Sequence, residues 1–281
     1  MKTLQKTAIS AAAVALLAGL STAAFAADEP AAPEVSPITA NVSLVSDYRY
    51  RGISQSNLKP AIQGGFDYAH ESGLYIGNWN SSISWNGDQN PGVTSPIEMD
   101  FYGGFKKELI GEGFASDIGV LQYAYPSRGA YSYQTTAGTQ VNPNTTELYA
   151  AQNFTFGPVT GFVKFSYAVS PLFGNPKSSG SYYPDLTVNY DTGVWGLAVN
   201  AHVGYQYVAG QQVVAGTPTL NYTDFKLGLT KDFGGGLSLA AAYIGTTAAK
   251  NGSTYAYQGP TNQGSKNLAG STGVVTLTKT F

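Results

Sequence analysis

The 281-residue sequence contains no cysteine. That excludes disulfides, thiolate metal sites and cysteine nucleophiles, and it suits a chain exported through an oxidising compartment, where stray thiols are a hazard. Charge is scarce as well. Asp, Glu, Lys and Arg make up 11 % of the residues, against roughly 25 % in ordinary soluble domains. The net charge is −2 with no basic run, so the electrostatic footprint of a nucleic-acid partner is missing. There are two histidines, His70 and His202, too few without cysteine for a transition-metal site. The apolar run Ala8–Leu20 is shorter than the about 20 residues of a bilayer-spanning helix.

That run has another use. Lys2 and Lys6 precede it, and Ala24-Phe25-Ala26 is a small-x-small signal, so residues 1–26 are expected to be a secretory signal peptide that is removed. Residues 27–37, rich in Pro, Ala and acids, are expected to be a flexible leader. The rest, 38–281, is long enough for one large domain. It is rich in Gly (34) and Tyr (20), yet its mean hydropathy is −0.10. Low charge, many tyrosines and an average that is not hydrophobic are expected of strands that show lipid one face and water the other.

Alternation dominates this region, and no helical period of useful length occurs. From Ile38 to Tyr50, Ile38, Ala40, Val42, Leu44, Tyr48 and Tyr50 fall on one face, while Thr39, Asn41, Ser43, Asp47, Arg49 and Arg51 fall on the other; Val45 and Ser46 break the pattern. Ile97–Lys106 and Val194–Tyr207 repeat it. Weaker versions run through Ala61–Ala69, Leu74–Trp85, Phe114–Tyr125, Glu147–Phe156, Val159–Val169, Tyr182–Tyr190, Tyr222–Thr230, Leu237–Thr246 and Gly273–Phe281. These are twelve candidate strands, each near the roughly 9–11 residues of a tilted transmembrane strand. Short turns (His70–Gly73, Glu108–Gly113, Gly157–Pro158, Asp191–Gly193, Asp232–Gly236) alternate with longer stretches such as Gly52–Pro60, Asn86–Pro96 and Pro126–Thr146. Outer-membrane barrels have this asymmetry of short periplasmic turns and long external loops. An even strand count puts both ends of the chain on the short-turn side. A soluble sandwich or lipocalin-like barrel also alternates, but calls for more Leu and Ile inside and a charged exterior. Here Tyr, Trp and Phe gather at strand ends, where membrane interfaces hold aromatic girdles. In the last strand Val275, Leu277 and Phe281 share a face interrupted by Lys279, whose stem can snorkel to water.

The segment Ser46–Tyr68, SDYRYRGISQSNLKPAIQGGFDY, resembles the N-terminal signature of the TorF family of putative porins. Glu98-Met99-Asp100-Phe101-Tyr102-Gly103-Gly104, Asp117-Ile118-Gly119 and Tyr123-Ala124-Tyr125-Pro126 are similar to the same family's pattern. The resemblance implies an exported bacterial barrel; it brings no substrate or binding residues with it.

The expected fold is thus an all-β transmembrane antiparallel barrel of about 12 strands in the bacterial outer membrane. With apolar faces toward lipid, Asp47, Arg49, Arg51, Asp67, Glu98, Asp100, Lys106, Lys164, Asp185, His202, Asp224 and Lys226 are expected to line the lumen. Arg49 and Arg51, two apart on one strand, would share a row with Asp47, and Glu98 and Asp100 could answer them across the lumen. The nearly balanced charges could set a transverse field in a pore, or pair off and plug a narrow barrel. The expected function is passive diffusion of small hydrophilic solutes, with lipid and such solutes as partners, no cofactor and a possible homo-oligomer. One alternative is a closed structural or adhesion barrel acting through external loops such as Pro126–Thr146 and Thr247–Ser271. Another is a membrane esterase or phospholipase using His202, although no nucleophile motif accompanies either histidine.

Overall fold

The computed structural model describes residues 36–89, 92–129, 142–211, 217–252, 254–260 and 265–281. The expected signal peptide, nearly all of the leader, and parts of the loops after Gly129, Gln211, Gly252 and Pro260 lie outside the described residues.

Twelve strands form one closed sheet. They are β1 (Ile38–Val45), β2 (Ala61–Ala69), β3 (Leu74–Ser82), β4 (Ile97–Gly111), β5 (Phe114–Ala124) and β6 (Thr145–Phe156). These are followed by β7 (Val159–Ala168), β8 (Tyr182–Asp191), β9 (Leu197–Gln206), β10 (Tyr222–Asp232), β11 (Leu237–Thr246) and β12 (Thr272–Thr280). Each strand runs antiparallel to its sequence neighbours, and β12 closes on β1 with Asn41 opposite Thr280 and Val45 opposite Thr276. Closure leaves no unpaired edge, the condition for spanning hydrocarbon with strands. The expected twelve-stranded antiparallel barrel is the observed fold.

The register sorts the two faces as the alternation requires. Leu44 lies opposite Leu277 on one side and Ile62 on the other, all on the outside. Ile76, Ile118 and Leu227 are 63 %, 60 % and 61 % exposed there, while Glu98, Asp100, Asp117 and Glu147 are buried inside. An inside-out distribution of this kind suits a barrel whose exterior meets lipid. The outer face has polar breaks, among them Ser116 and Gln152, paired between β5 and β6. On β3, Asn78 and Asn80 point outward between Phe66, Phe101 and Met99. Asn80 Nδ2 donates to Asn78 Oδ1 at 2.6 Å, and Asn78 Nδ2 donates to the Asp100 carbonyl at 3.0 Å.

Both ends of the barrel sequence and the short turns lie at one mouth. Phe281 N donates to the Ala40 carbonyl at 2.9 Å, and Ile38 is opposite Tyr68, at the β2–β3 turn. The aromatic rim is present at this mouth: Trp195 is 81 % exposed in the β8–β9 turn, and Phe156, Phe233 and Phe281 are also exposed. Lys279 snorkels as expected, reaching the Gly235 carbonyl with its ammonium 5.2 Å from the Phe281 ring centre.

Four local expectations are corrected. Strand β3 stops at Ser82, because Trp85–Gln89 forms a single helical turn. Strand β9 starts at Leu197, because Trp195 and Gly196 adopt positive φ (54° and 63°) in the turn. The segment Glu108–Gly113 is mainly strand: β4 runs on to Gly111, with a register shift after Glu108 that leaves Leu109 and Ile110 exposed. The largest difference is at β1, whose ladder ends at Val45. Ser46–Pro60 turns into the lumen as a hairpin in which Arg49–Tyr50 pairs with Ile53–Ser54, with positive φ at its tip residues Arg51 and Gly52. Tyr48 and Tyr50 therefore lie inside the barrel and not on the lipid face. Alternation assigns faces only while the strand continues, and the Val45–Ser46 break marks where it stops.

The sidedness can be tested at mid-strand β10. Leu227→Arg in vesicle-reconstituted protein is expected to cost about 2–4 kcal/mol in denaturant unfolding, as for a cation near the bilayer midplane. An exposed leucine on a soluble barrel would tolerate the change within about 0.5 kcal/mol.

Candidate functional site

Within the closed wall, polar side chains have few partners except one another, and a buried polar group without a partner is costly. Tyrosine supplies many of the donors. Tyr48 donates to Glu98 Oε1 at 2.6 Å and Tyr125 to Glu98 Oε2 at 2.8 Å. Tyr75 donates to Asp117 at 2.6 Å, Tyr183 to Asp224 at 2.8 Å, and Tyr102 to Asp67. To reach a carboxylate two strands away, the phenol rings of Tyr75, Tyr183 and Tyr102 must lie flat across the strand between. Glycine makes the room: a Cβ at Gly204 would sit 2.1 Å from the Tyr183 hydroxyl, and one at Gly104 would sit 2.6 Å from that of Tyr75.

Register also places charges side by side. Lys106 on β4 is opposite Asp117 on β5, and Asp117 is opposite Ala151 on β6. Ala151 is opposite Lys164 on β7, which is opposite Asp185 on β8. The row continues through Gly204 to Asp224 on β10. His202 sits just off it. Its Nε2 is 2.9 Å from the Tyr183 hydroxyl and 3.0 Å from Asp224, and its Nδ1 is 2.8 Å from the Thr187 hydroxyl. Both ring nitrogens are thus engaged, and neither contacts a serine. His70 contacts the Ser72 hydroxyl at 2.8 Å, within the exposed β2–β3 turn.

The inward hairpin crosses this interior. Asp47 receives the Ser54 hydroxyl at 2.6 Å, the Ser56 hydroxyl at 3.2 Å and Arg49 Nε at 2.6 Å. Arg49 Nη1 also donates to the carbonyls of Gly52, Leu268 and Gly270 at 2.9–3.0 Å. Arg51 points the other way, to Glu147 on β6 at 2.7 Å and Gln206 on β9 at 2.7 Å, with its guanidinium 4.1 Å from the Tyr183 ring centre. Tyr50 meets the Tyr123 hydroxyl at 2.7 Å. A segment leaving β1 is therefore fastened to the opposite wall.

All twelve side chains expected in the lumen lie on the interior side, but not in the expected pairs. Arg49 and Arg51 do not share a strand row with Asp47, because the backbone turns at Arg51. Arg51 is answered by Glu147 and Arg49 by Asp47, while Glu98 is held by tyrosines. Asp117 and Glu147, both buried inside, were missing from the expected set; their positions on the polar side of the Phe114–Tyr125 and Glu147–Phe156 alternations are the signal that could have found them. With them, the barrel wall and hairpin carry, among the described residues, eight acids (Asp47, Asp67, Glu98, Asp100, Asp117, Glu147, Asp185, Asp224) against five bases (Arg49, Arg51, Lys106, Lys164, Lys226). The near balance expected from the sequence is thus an acidic excess. On the charged side of the hairpin lie a cavity of about 100 Å³ bordered by Arg51, Lys164 and His202 and one of about 40 Å³ beside Tyr48 and Gln63.

The buried Arg51–Glu147 pair is the hairpin's principal fastening. Glu147→Ala leaves the guanidinium without its countercharge, which is expected to cost about 3–5 kcal/mol. Thermal unfolding should register that loss, and limited proteolysis should register new cleavage within Ser46–Pro60.

Comparison with solved structures finds distant barrels. The KdgM porin, solved in complex with disordered oligogalacturonate, is 6 % identical with a TM-score of 0.49, covering 87 % of this chain and 98 % of that one. An outer-membrane channel from Pseudomonas putida F1 is 13 % identical with a TM-score of 0.49, covering 91 % of this chain and 100 % of its own. The outer membrane protein opdK from Pseudomonas aeruginosa is 9 % identical with a TM-score of 0.40, covering 89 % and 68 %. No curated protein matches the sequence. A family model does match, over residues 27–281. The chain belongs to Gcw_chp, a family of bacterial proteins of unknown function.

Proposed function

We propose that the protein is an outer-membrane channel for passive diffusion of small hydrophilic solutes, with the inward hairpin Ser46–Pro60 setting its bore. The observation that carries this reading is the charged row from Lys106 to Asp224, continuous in register across seven strands inside an apolar-sided barrel. A structural barrel needs no such lining, and charged linings are how channels discriminate among solutes. Twelve strands also give a wider lumen than the filled eight-stranded barrels. The similarity of Ser46–Tyr68 to the TorF putative porins points the same way, and the hairpin falls within that segment.

The charges are unevenly distributed. Strands β2 to β6 contribute Asp67, Glu98, Asp100, Asp117 and Glu147 with one base, Lys106; strands β7 to β10 contribute Lys164, His202 and Lys226 with Asp185 and Asp224. A small polar solute would pass through a field directed from the second wall to the first, with Arg49 and Arg51 between them. The acidic excess favours cations.

One observation favours a second reading. The hairpin spans the lumen from β1 to β6 and β9, as a plug would, leaving a closed barrel that acts through its outer surface. Single-channel recording on refolded Ala27–Phe281 in a planar bilayer separates the two. Stable steps are expected for the channel. Steps that appear only after residues 48–58 are replaced by a short Gly-Ser linker would identify a plugged barrel, and silence from both proteins would sink the channel reading. In a conducting protein, Arg49→Ser with Arg51→Ser is expected to shift reversal potentials further toward cations; unchanged selectivity would remove the arginines from the solute path.

A further inference from the structure

On the long-loop side of the hairpin lies a cavity of a different kind. Its volume is about 170 Å³, close to the about 150 Å³ apolar cavity that holds one benzene ring. None of its lining side chains carries a formal charge, and six are aromatic: Tyr50, Trp85, Tyr125, Phe173, Tyr222 and Tyr257. Their arrangement is set by mutual packing. Trp85 meets Tyr125 edge-on at 5.2 Å between ring centres, Tyr125 meets Phe173 at 6.3 Å, and Phe173 meets Tyr50 at 5.4 Å. Opposite, Tyr222 meets Tyr257 at 5.2 Å, and Tyr257 is anchored by donating to the Leu220 carbonyl at 2.7 Å. Edge-to-face geometry presents ring faces and edges to an occupant that can continue the pattern.

The polar groups limit what that occupant can be. The Gln206 amide is already committed to Arg51 and to the carbonyls of Tyr182 and Tyr207. Gln55 Nε2 donates to the Ile53 carbonyl and Asn175 Nδ2 to that of Leu172. The indole N–H of Trp85 is itself buried out of the cavity's reach, which leaves Gln89 as an exposed polar side chain in the lining. A sugar would bury several hydroxyls, each needing a partner, and an ion would find no countercharge. We infer that this vestibule is a binding site for a neutral single-ring aromatic molecule with one polar substituent, of the phenol type. The ring packs among the six aromatic walls while the substituent meets the exposed Gln89 side chain in the lining. Such binding does not depend on whether the lumen conducts, since Tyr50 separates this cavity from the charged one on the other side of the hairpin.

The test uses the full mature chain refolded in detergent, with phenol as the probe and saturation-transfer NMR as the readout. Saturable binding is expected, with no competition from benzoate or glucose. Ala256→Trp fills the cavity and should weaken phenol binding about tenfold, the loss of roughly one ring's worth of contact. Phe173→Ser removes one wall without needing extra room and should weaken binding in the same direction. Both variants are checked for heat-modifiable migration, and whichever folds decides the matter. Phenol binding that a folded variant leaves unchanged would overturn the assignment, as would absence of saturable binding in the wild type. Displacement by glucose or benzoate at matched concentrations would equally overturn it, in favour of a sugar or anion site.

Discussion

A closed sheet with an apolar exterior forces its polar groups inward, and there they must satisfy one another in a confined space. That constraint accounts for the high tyrosine and glycine content more directly than any preference of strands does. A carboxylate on the wall needs a donor that can reach across an intervening strand without bringing a charge of its own. The phenol of tyrosine does this, with a rigid ring that loses little freedom on packing. The ring has to lie along the wall, over a residue without a side chain, which is why Gly204 sits under Tyr183 and Gly104 under Tyr75. The same device gives Asp117 and Asp224 their donors.

The inward hairpin follows from the same requirement. At Val45 the ladder could have continued, but a continued strand would have carried Tyr48 and Tyr50 to the outside and taken one phenol donor from Glu98 and the Tyr50 hydroxyl from Tyr123. Turning inward gives Glu98 a phenol donor, gives Tyr123 the Tyr50 hydroxyl, and brings Arg51 to Glu147. Arg51 suits this place because its planar guanidinium can stack on Tyr183 while donating to both Glu147 and Gln206. Asp47 and Arg49 do corresponding service at the base of the hairpin, where they organise its backbone. Charged residues near the middle of the barrel therefore divide into those that shape the hairpin and those that remain on the wall.

This division explains which features were legible in the sequence. Alternation is a property of one strand, and it carried the strand number, both faces and the side of the short turns, with β2 and β11 recovered to the residue. It also put Glu98, Asp100, Lys106, Lys164, Asp185, His202, Asp224 and Lys226 on the interior face. Pairing is a property of two strands far apart in sequence, and alternation has no access to it. Hence Arg49 keeps the neighbouring Asp47 as its partner, whereas Glu147, 96 residues from Arg51, was passed over. The departure at Val45–Ser46 was visible as a break in the pattern. Its meaning, a chain leaving the wall, depends on what stands across the lumen to receive it.

The hairpin also creates two environments from one lumen. On the long-loop side the rings of Tyr50, Tyr125 and Phe173 face a cavity without charge, and on the other side Lys164, Asp185 and His202 face one rich in it. Tyr50 borders both, its ring packed on the aromatic side and its hydroxyl tied to Tyr123. A solute that has passed the loops would meet this uncharged aromatic lining before the charged row of the wall. Net attraction of ions would then come from the wall field inside the barrel, and any discrimination at the entrance would rest on shape and desolvation. On the proposed reading, selectivity by charge and selectivity by ring packing fall on opposite sides of a single hairpin, whose fastening to Glu147 and Gln206 holds the boundary between them.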